Sequence, residues 1–199
     1  MASEFTSMVK EIDAFLMGES KVHATLERIA RRLDELNIGF ALAGGLAVGL
    51  RGHLRLTVDV DILIRAEDLE RFKERWLGRG YVEKFSDSRG VKDTQSGVSI
   101  DFLIAGHYPG DGRPKPVRFP EPLSIPLGNE SYRLLDLRTL IELKLASGMS
   151  APDRLIDFAD VLALVRANQL AEGFAQSLDE SVRGKYGELW RAAQTRDEY

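Results

Sequence analysis

The sequence contains no cysteine, which excludes disulfide bonds, thiolate metal sites and cysteine nucleophiles. It also lacks any apolar run approaching the roughly 20 residues that a helix needs to cross a bilayer. Residues 1–5 do not show the basic-then-apolar pattern of a secretory signal. We therefore expect a cytoplasmic protein that is not a membrane protein.

The chain also has no large excess of charge of one sign, because 27 basic and 31 acidic residues give a net charge of -4. Such a chain has no global electrostatic field that attracts nucleic acid, although a local basic groove is not excluded. The three histidines are scattered, without the spacing of metal ligands. With 199 residues and a hydrophobic fraction of 44%, the chain can bury the core of one compact domain.

Hydrophobic periodicity predicts a series of helices. Apolar residues recur at steps of three and four, so that each helix presents one apolar face. The predicted helices cover residues 22–36, 67–77, 137–147, 152–168 and 178–193. Asp136 is the predicted cap of the third helix and Gly148 its predicted stop. A further short helix is expected to follow Gly45 and to end near Arg51.

Alternation of apolar and polar residues predicts strands at 57–64 and 98–104. In the first, Val58 and the apolar residues at 60 and 62 alternate with Thr57, Asp59 and Asp61. An apolar strand is also predicted at 40–43, and residues 81–95 fit one or two strands. Six of the seven prolines lie between residues 107 and 128, which favours a loop with an edge strand near 123–125.

This order of elements predicts an α/β or α+β fold, with a short mixed sheet flanked by helices and further helices at the C-terminal end. We expect a core with N-terminal helices over residues 1–130. Residues 131–199 are expected to form a helical part that packs on the core, so that the two make a single compact unit.

Asp59 and Asp61 carry the most specific chemical signal. Two residues apart on a strand, they point to the same face with Cα atoms roughly 6 to 7 Å apart. Two Mg²⁺ ions about 3.5–4 Å apart suit such a pair and clamp both oxygens of a phosphoryl displacement. Asp101 lies on the polar side of the second strand and could accept a proton or complete a metal site. The alternative is a solvated strand face.

The Gly44-Gly45 pair lies between a predicted strand and a predicted helix. Glycine lets the backbone approach a phosphate, and a helix N-terminus offers free N–H groups. A simple turn is the alternative explanation. Metal ions at one end of a triphosphate and amide donors at the other would together make a nucleotide site.

Two segments resemble the nucleotidyltransferases of the DNA polymerase β-like superfamily. They are Ala43-Gly-Gly-Leu-Ala and Arg55-Leu-Thr-Val-Asp-Val-Asp-Ile-Leu. Within the superfamily the chain looks most like the minimal and AbiEii-type branch, which includes toxins of toxin–antitoxin systems. The resemblance covers roughly residues 38 to 165 and implies the nucleotidyltransferase fold.

The resemblance implies a role for each matching residue. Asp59 and Asp61 would be the metal-binding pair and Asp101 the third carboxylate, with Mg²⁺ or Mn²⁺ as cofactor and a nucleoside triphosphate as donor. Gly44 and Gly45 would hold the phosphates. Since Gly45 stands where other branches have serine, that contact would come from backbone amides alone.

Further nucleotide contacts are expected from the segments around Lys144 and Arg154. Lys144 lies on an otherwise apolar stripe, so its stem should pack inward and its ammonium should meet a triphosphate, a core acid or, by snorkelling, solvent. Arg154 and Asp157 match the branch's Arg/Lys-x-x-Asp motif, yet at i,i+3 they could simply pair on a helix surface.

Arg55 and Thr57 share the face of the acid pair and could support the nucleotide site. A solvated strand end would explain both residues as well.

The leading hypothesis is an enzyme that transfers a nucleoside monophosphate from a triphosphate to an acceptor, which could be tRNA, a protein or a small molecule. It could act as a toxin, in which case an antitoxin partner is expected. The first alternative is a catalytically inactive nucleotidyltransferase-fold module that binds nucleotide or acts as an antitoxin or regulator. The second is a structural domain whose Asp-x-Asp is merely solvated.

Overall fold

The computed structural model describes residues 2–127 and 132–195 of the chain. Seven α-helices and six strands lie in these two ranges, together with 3-10 turns at Pro122–Ser124 and Glu172–Ser177. The helices are α1 (Ala2–Leu16), α2 (Lys21–Asp34), α3 (Gly44–Leu50), α4 (Ala66–Trp76), α5 (Leu137–Gly148), α6 (Leu155–Ala167) and α7 (Glu180–Gln194). The strands are β1 (Ala41–Leu42), β2 (Asp59–Ile64), β3 (Tyr81–Glu83), β4 (Val91–Asp93), β5 (Ser99–Ile104) and β6 (Arg133–Leu134).

The six strands form one mixed sheet in the order β3-β4-β5-β2-β1-β6. The two longest strands, β2 and β5, lie side by side at its centre and run parallel. β1 runs antiparallel to β2, β6 parallel to β1, and β3 and β4 make antiparallel pairs on the other side. The predicted mixed sheet flanked by helices is therefore confirmed.

One face of the sheet carries the larger apolar cluster. Val60, Ile62 and Ile64 of β2 and the alternate residues of β5 from Ile100 to Ile104 are buried there. Helices α2 and α4 cover this face through apolar residues at helical spacing, among them Leu33 and Phe72. The apolar residues that recur every second position in the strands and every 3.6 positions in the helices thus pack into one core.

The opposite face is shared between apolar and polar side chains. Leu63 of β2 and Leu103 of β5 pack with the cluster formed by α3, α5, α6 and α7. Tyr186 of α7 is fully buried there, and its hydroxyl donates a hydrogen bond of 3.0 Å to the carbonyl of Ala171. Towards the start of both strands, the same face carries acids instead of leucines.

Several predicted boundaries differ from the structure at the start of an element. β2 begins at Asp59 rather than at residue 57, and Val58 is 81% exposed instead of facing the core. α6 begins at Leu155, three residues later than predicted. Asp136 does cap α5, accepting a hydrogen bond of 2.9 Å from the Thr139 amide, whereas Gly148 is the last helical residue and not the stop.

Three elements differ in kind. N-terminal helices are expected, but no bounds are predicted for a helix before residue 22, where α1 covers Ala2–Leu16. The predicted edge strand near residues 123–125 is wrong, because Pro122 starts a 3-10 turn there. β6 was not predicted, since two residues show no period and its pairing with β1 is long-range. The predicted domain boundary between residues 130 and 131 lies outside the described residues.

No helix in the described ranges combines the length and the hydropathy that crossing a membrane requires.

Phe72 provides a test of the core away from the acidic face. Its ring is fully buried and contacts Tyr81 and Phe102, with ring centroids 5.2 and 5.3 Å away. We expect Phe72→Ala to lower the free energy of unfolding by about 3–5 kcal/mol because it leaves a cavity. Phe72→Leu should cost clearly less, because it leaves a smaller cavity. Urea denaturation measures both, and equal effects of the two variants would contradict this description of the core.

Candidate active site

Three carboxylates meet on the polar part of the second face. The parallel register of β2 and β5 places Asp61 directly opposite Asp101, and Asp59 opposite Ser99. All three carboxylates are partly buried. Because side chains two residues apart share a face, Asp59 and Asp61 point the same way and the central strand pair brings the third acid beside them.

The carboxyl group of Asp61 has a strongly perturbed pKa. Burial, and after it the charges of Asp59 and Asp101, raise this pKa to about 7. The nearby Lys144 and a hydrogen bond from the Gly45 amide act in the opposite direction. Desolvation and like charges both disfavour the ionised form, which a cation bound beside this carboxylate would stabilise.

The Gly44-Gly45 turn fits closely around these acids. Gly44 has a φ of +58°, and a Cβ atom there would collide with the Asp61 carboxylate. A Cβ atom on Gly45 would lie 2.8 Å from the Thr57 hydroxyl oxygen. Glycine is therefore required at Gly44 both by backbone conformation and by space.

Thr57 and Arg55 precede β2 and have different partners. The Thr57 hydroxyl donates a hydrogen bond of 2.6 Å to Oδ1 of Asp59, so it orients one acid of the pair. The Arg55 guanidinium donates two hydrogen bonds, of 2.6 and 2.9 Å, to the two oxygens of Asp160. This bidentate contact, the first cause of the raised pKa of Arg55, ties the chain before β2 to helix α6.

Lys144 of α5 points inward, and its ammonium meets core acids. Its Nζ lies 2.8 Å from Oδ1 of Asp157 and 2.8 Å from Oδ2 of Asp160. Both acids are almost fully buried. Burial acts to lower the pKa of Lys144, but the two carboxylates outweigh it and raise that pKa. Of the partners expected for Lys144, which were a triphosphate, a core acid or solvent, the structure shows core acids.

Arg154 and Ser147 complete this buried network. Nε of Arg154 donates to Oδ2 of Asp157 at 3.0 Å and to the Ser147 hydroxyl at 2.6 Å, while Ser147 donates to Oδ2 of Asp157 at 2.7 Å. Burial raises the pKa of Asp157, yet Lys144, Ser147 and Arg154 bring it below the ordinary value. The i,i+3 pair predicted as a surface alternative does form, but its acid is buried.

Lys84, in the loop after β3, was not predicted as a site residue. Its Nζ lies 2.9 and 3.1 Å from the two oxygens of Asp101. The side chains of Lys84 and Asp101 are 31% and 35% exposed, respectively. No local pattern could reveal this contact, because it depends on β4 pairing with β5 across the sheet.

These groups line a cleft of about 810 Å³. The acid pair, the Gly44-Gly45 turn and the Lys144–Asp157–Arg154 group all contribute to its lining. Other lining residues come from the loop at 108–112, from the chain before β2 and from the loop between β3 and β4. The structure therefore brings every predicted site residue to one cavity: Gly44, Gly45, Arg55, Thr57, Asp59, Asp61, Asp101, Lys144, Arg154 and Asp157.

The chemistry of the acids suits a hard divalent cation. Carboxylate oxygen is the ligand that Mg²⁺ prefers, and one or two carboxylates plus substrate phosphate usually complete a Mg²⁺ site in proteins. Among residues 2–127 and 132–195, no three His, Asp or Glu side chains form a group that could hold a metal ion. Asp59 and the desolvated Asp61 fit such a cation as a pair, and the metal assignment stays a prediction.

No protein-family model matches the sequence, and no curated protein matches it. Among solved structures, the chain is similar to the crystal structure of ANT(2″)-Ia in complex with adenylyl-2″-tobramycin. The TM-score is 0.51 and the identity 16%, over 83% of this chain and 96% of that one. The solution structure of the antibiotic-resistance factor ANT(2″)-Ia gives a TM-score of 0.49 and 17% identity, over 84% and 94% of the two chains. At this identity the likeness to the crystal structure concerns the fold alone: the chain has a nucleotidyltransferase fold.

Proposed function

We propose that this chain is an enzyme that transfers a nucleoside monophosphate from a nucleoside triphosphate to a hydroxyl group of an acceptor. The observation that carries the proposal is the register of β2 and β5, which sets Asp61 opposite Asp101 with Asp59 on the same face. The fold shared with ANT(2″)-Ia, whose structure contains an adenylylated antibiotic, supports the same reaction class.

Asp59 and Asp61 are the proposed ligands of Mg²⁺ or Mn²⁺. When bound, a divalent cation would neutralise the triphosphate and stabilise the charge that develops on its oxygens. Thr57 orients Asp59 by its hydrogen bond, and the Gly45 amide holds Asp61. The Gly44-Gly45 backbone is the proposed phosphate contact, because glycine lets the main chain approach a phosphate without an intervening side chain.

The proposed reaction forms a bond from the acceptor oxygen to the α-phosphorus, and breaks the bond from that phosphorus to the pyrophosphate. Asp101 accepts the proton of the acceptor hydroxyl, and pyrophosphate leaves. Positioning and electrostatic stabilisation supply most of the acceleration in such phosphoryl transfers. Lys144, charged because Asp157 and Asp160 raise its pKa, adds positive potential near Asp61.

Lys84 must leave Asp101 before that carboxylate can accept a proton. Both side chains are about one third exposed, and an exposed ion pair is worth only ~0–1 kcal/mol. The contact is therefore readily exchanged when substrate enters.

For the acceptor we propose a small molecule. Of the four cationic residues that line the cleft, Arg55, Lys144 and Arg154 are already bound to buried acids. Five acidic residues line the same cleft, so its surface suits a neutral or cationic acceptor better than a polyanion such as tRNA. The cavity of about 810 Å³ lies within the ordinary range for small-molecule sites.

The finer assignment to the AbiEii-type branch is supported by the sequence motifs alone. A toxin function and an antitoxin partner belong to that assignment. They are tested by expression: a toxin arrests growth of the host cell when its Asp61 is intact and does not when Asp61 is replaced.

Asp61→Asn tests the proposed activity. We expect this variant to lose nucleotide transfer by about a hundred- to a thousandfold, the range observed when one main electrostatic contribution to catalysis is removed. Labelled nucleoside triphosphates are incubated with aminoglycosides, other hydroxyl-bearing small molecules, tRNA and cell lysate, and label on the acceptor is measured. Asp34→Asn, an exposed acid at the end of α2, is the matched control and should keep full activity. Nucleotide transfer at the wild-type rate by Asp61→Asn would contradict the proposed activity.

The raised pKa of Asp61 predicts a pH dependence of stability in the metal-free protein. The folded-state pKa is about 7 against an ordinary 3.8, so the unfolded chain releases this proton first as pH rises. Asp61 therefore destabilises the fold increasingly between about pH 4 and pH 7. We expect Asp61→Asn to unfold at a higher temperature than the wild type at pH 8, and at a similar temperature at pH 4.5. A gap that does not change with pH would contradict this.

The close contact between Gly44 and Asp61 predicts a loss of nucleotide binding. Gly44→Ala should weaken Mg²⁺-dependent triphosphate binding by tenfold or more, because its methyl group displaces the Asp61 carboxylate. Gly18→Ala is the matched control, since Gly18 has a φ of +74° and nothing within 4 Å of the added Cβ atom. Both variants bear similar backbone strain, so calorimetric titration separates strain from collision. Equal affinities of the two variants would show that space beside Asp61 does not matter.

A further inference from the structure

The cationic residues that line the cleft differ in whether they form ion pairs within the protein. Arg55, Lys144 and Arg154 each pair with Asp157 or Asp160, whose carboxylates are 3% and 1% exposed. A guanidinium or ammonium held by a buried carboxylate has fewer donors left for a ligand. The cations predicted as nucleotide contacts are thus largely neutralised inside the protein.

Arg89 is the exception among the lining cations of the described chain. It lies in the loop between β3 and β4, and its side chain lines the cleft. Its guanidinium makes no hydrogen bond or ion pair with any described residue. At the edge of the cleft there is therefore an exposed guanidinium whose five N–H donors have no partner in the described chain.

The loop fixes where Arg89 stands although the side chain itself is exposed. Ser88 is buried, its amide donates to the Phe85 carbonyl at 3.0 Å, and its hydroxyl accepts a hydrogen bond of 3.0 Å from the Gly90 amide. Gly90 packs directly against the Asp101 carboxylate, where a Cβ atom would collide with it. The backbone of Arg89 is therefore held next to the third acid of the site.

We propose that Arg89 binds the phosphate groups of the donor nucleotide, as the cation that the Lys144 network does not supply. This inference rests on the proposed nucleotidyl transfer and adds a residue to that same site. Arginine suits the role because its planar fork makes paired hydrogen bonds to phosphate oxygens. The β3–β4 loop then serves two functions: Lys84 pairs with Asp101 before substrate enters, and Arg89 contacts the bound donor.

The experiment is calorimetric titration of the full-length protein with each Mg²⁺–nucleoside triphosphate, and with the monophosphate of the base that binds best. We expect Arg89→Met to weaken triphosphate binding by about ten- to a hundredfold, the range for hydrogen bonds to charged groups. Monophosphate binding should change less than twofold, because most of the phosphate charge is absent. Arg89→Lys should fall between the two proteins, since it keeps the charge and loses the fork.

Arg31→Met is the matched control, because Arg31 is an exposed arginine on α2, which covers the other face of the sheet. It should bind triphosphate like the wild type. If the wild type binds triphosphate and Arg89→Met binds it equally well, the assignment of Arg89 is wrong while the proposed function stands. An equal loss for triphosphate and monophosphate would also overturn the assignment to the phosphate tail. If the wild type binds no triphosphate, the proposed function fails and this inference fails with it.

Discussion

The parallel pairing of β2 with β5 is the constraint on which the candidate site depends. It fixes Asp61 opposite Asp101 and leaves Asp59 on the same face. Three carboxylates in one partly buried patch repel each other, so each must find a donor or a cation. In the ligand-free protein Thr57 donates to Asp59, the Gly45 amide to Asp61 and Lys84 to Asp101. These contacts come from three separate parts of the chain, and the sheet register brings them to one place.

The buried charges around Lys144 stabilise one another. Lys144 would be costly to bury alone, and Asp157 and Asp160 would be costly to bury without it. Together with Arg55 they form a network in which Asp160 touches both cations. Such a network contributes little net stability, but it defines geometry, because each charge has few positions where it is satisfied. Asp160 thus fixes the chain before β2 against α6, and so fixes the entry to the strand that carries the acid pair.

The sequence predicted those features that depend on local period. The alternation in β2 and β5 and the apolar stripes of α2 and α4 gave both the elements and the face on which the acids lie. The same reasoning placed Val58 in the core, where the structure has it 81% exposed, because period alone does not say where a strand begins. β6, Lys84 and Arg89 depend on long-range pairing, and no local pattern marks them. The inward direction of Lys144 was predictable, but its partners were not, since Asp157 and Asp160 lie on the next helix.

The properties of Asp61 also help to choose between the three hypotheses for this chain: an enzyme, a binding module without catalysis, and a purely structural domain. A fold by itself does not determine function, since one fold supports many activities. In a purely structural domain, an acid whose burial and neighbours raise its pKa to about 7 would only destabilise the fold at neutral pH. A turn whose Gly44 leaves no room beyond the Asp61 carboxylate would be equally unexplained there. Perturbed acids of this kind cluster at functional sites, where a ligand compensates for the destabilisation. A binding module without catalysis would need the acid pair for the proposed metal ion, but it would not need Asp101 beside that pair with an exchangeable lysine as its partner. The arrangement of all three acids is therefore accounted for most simply by catalysis.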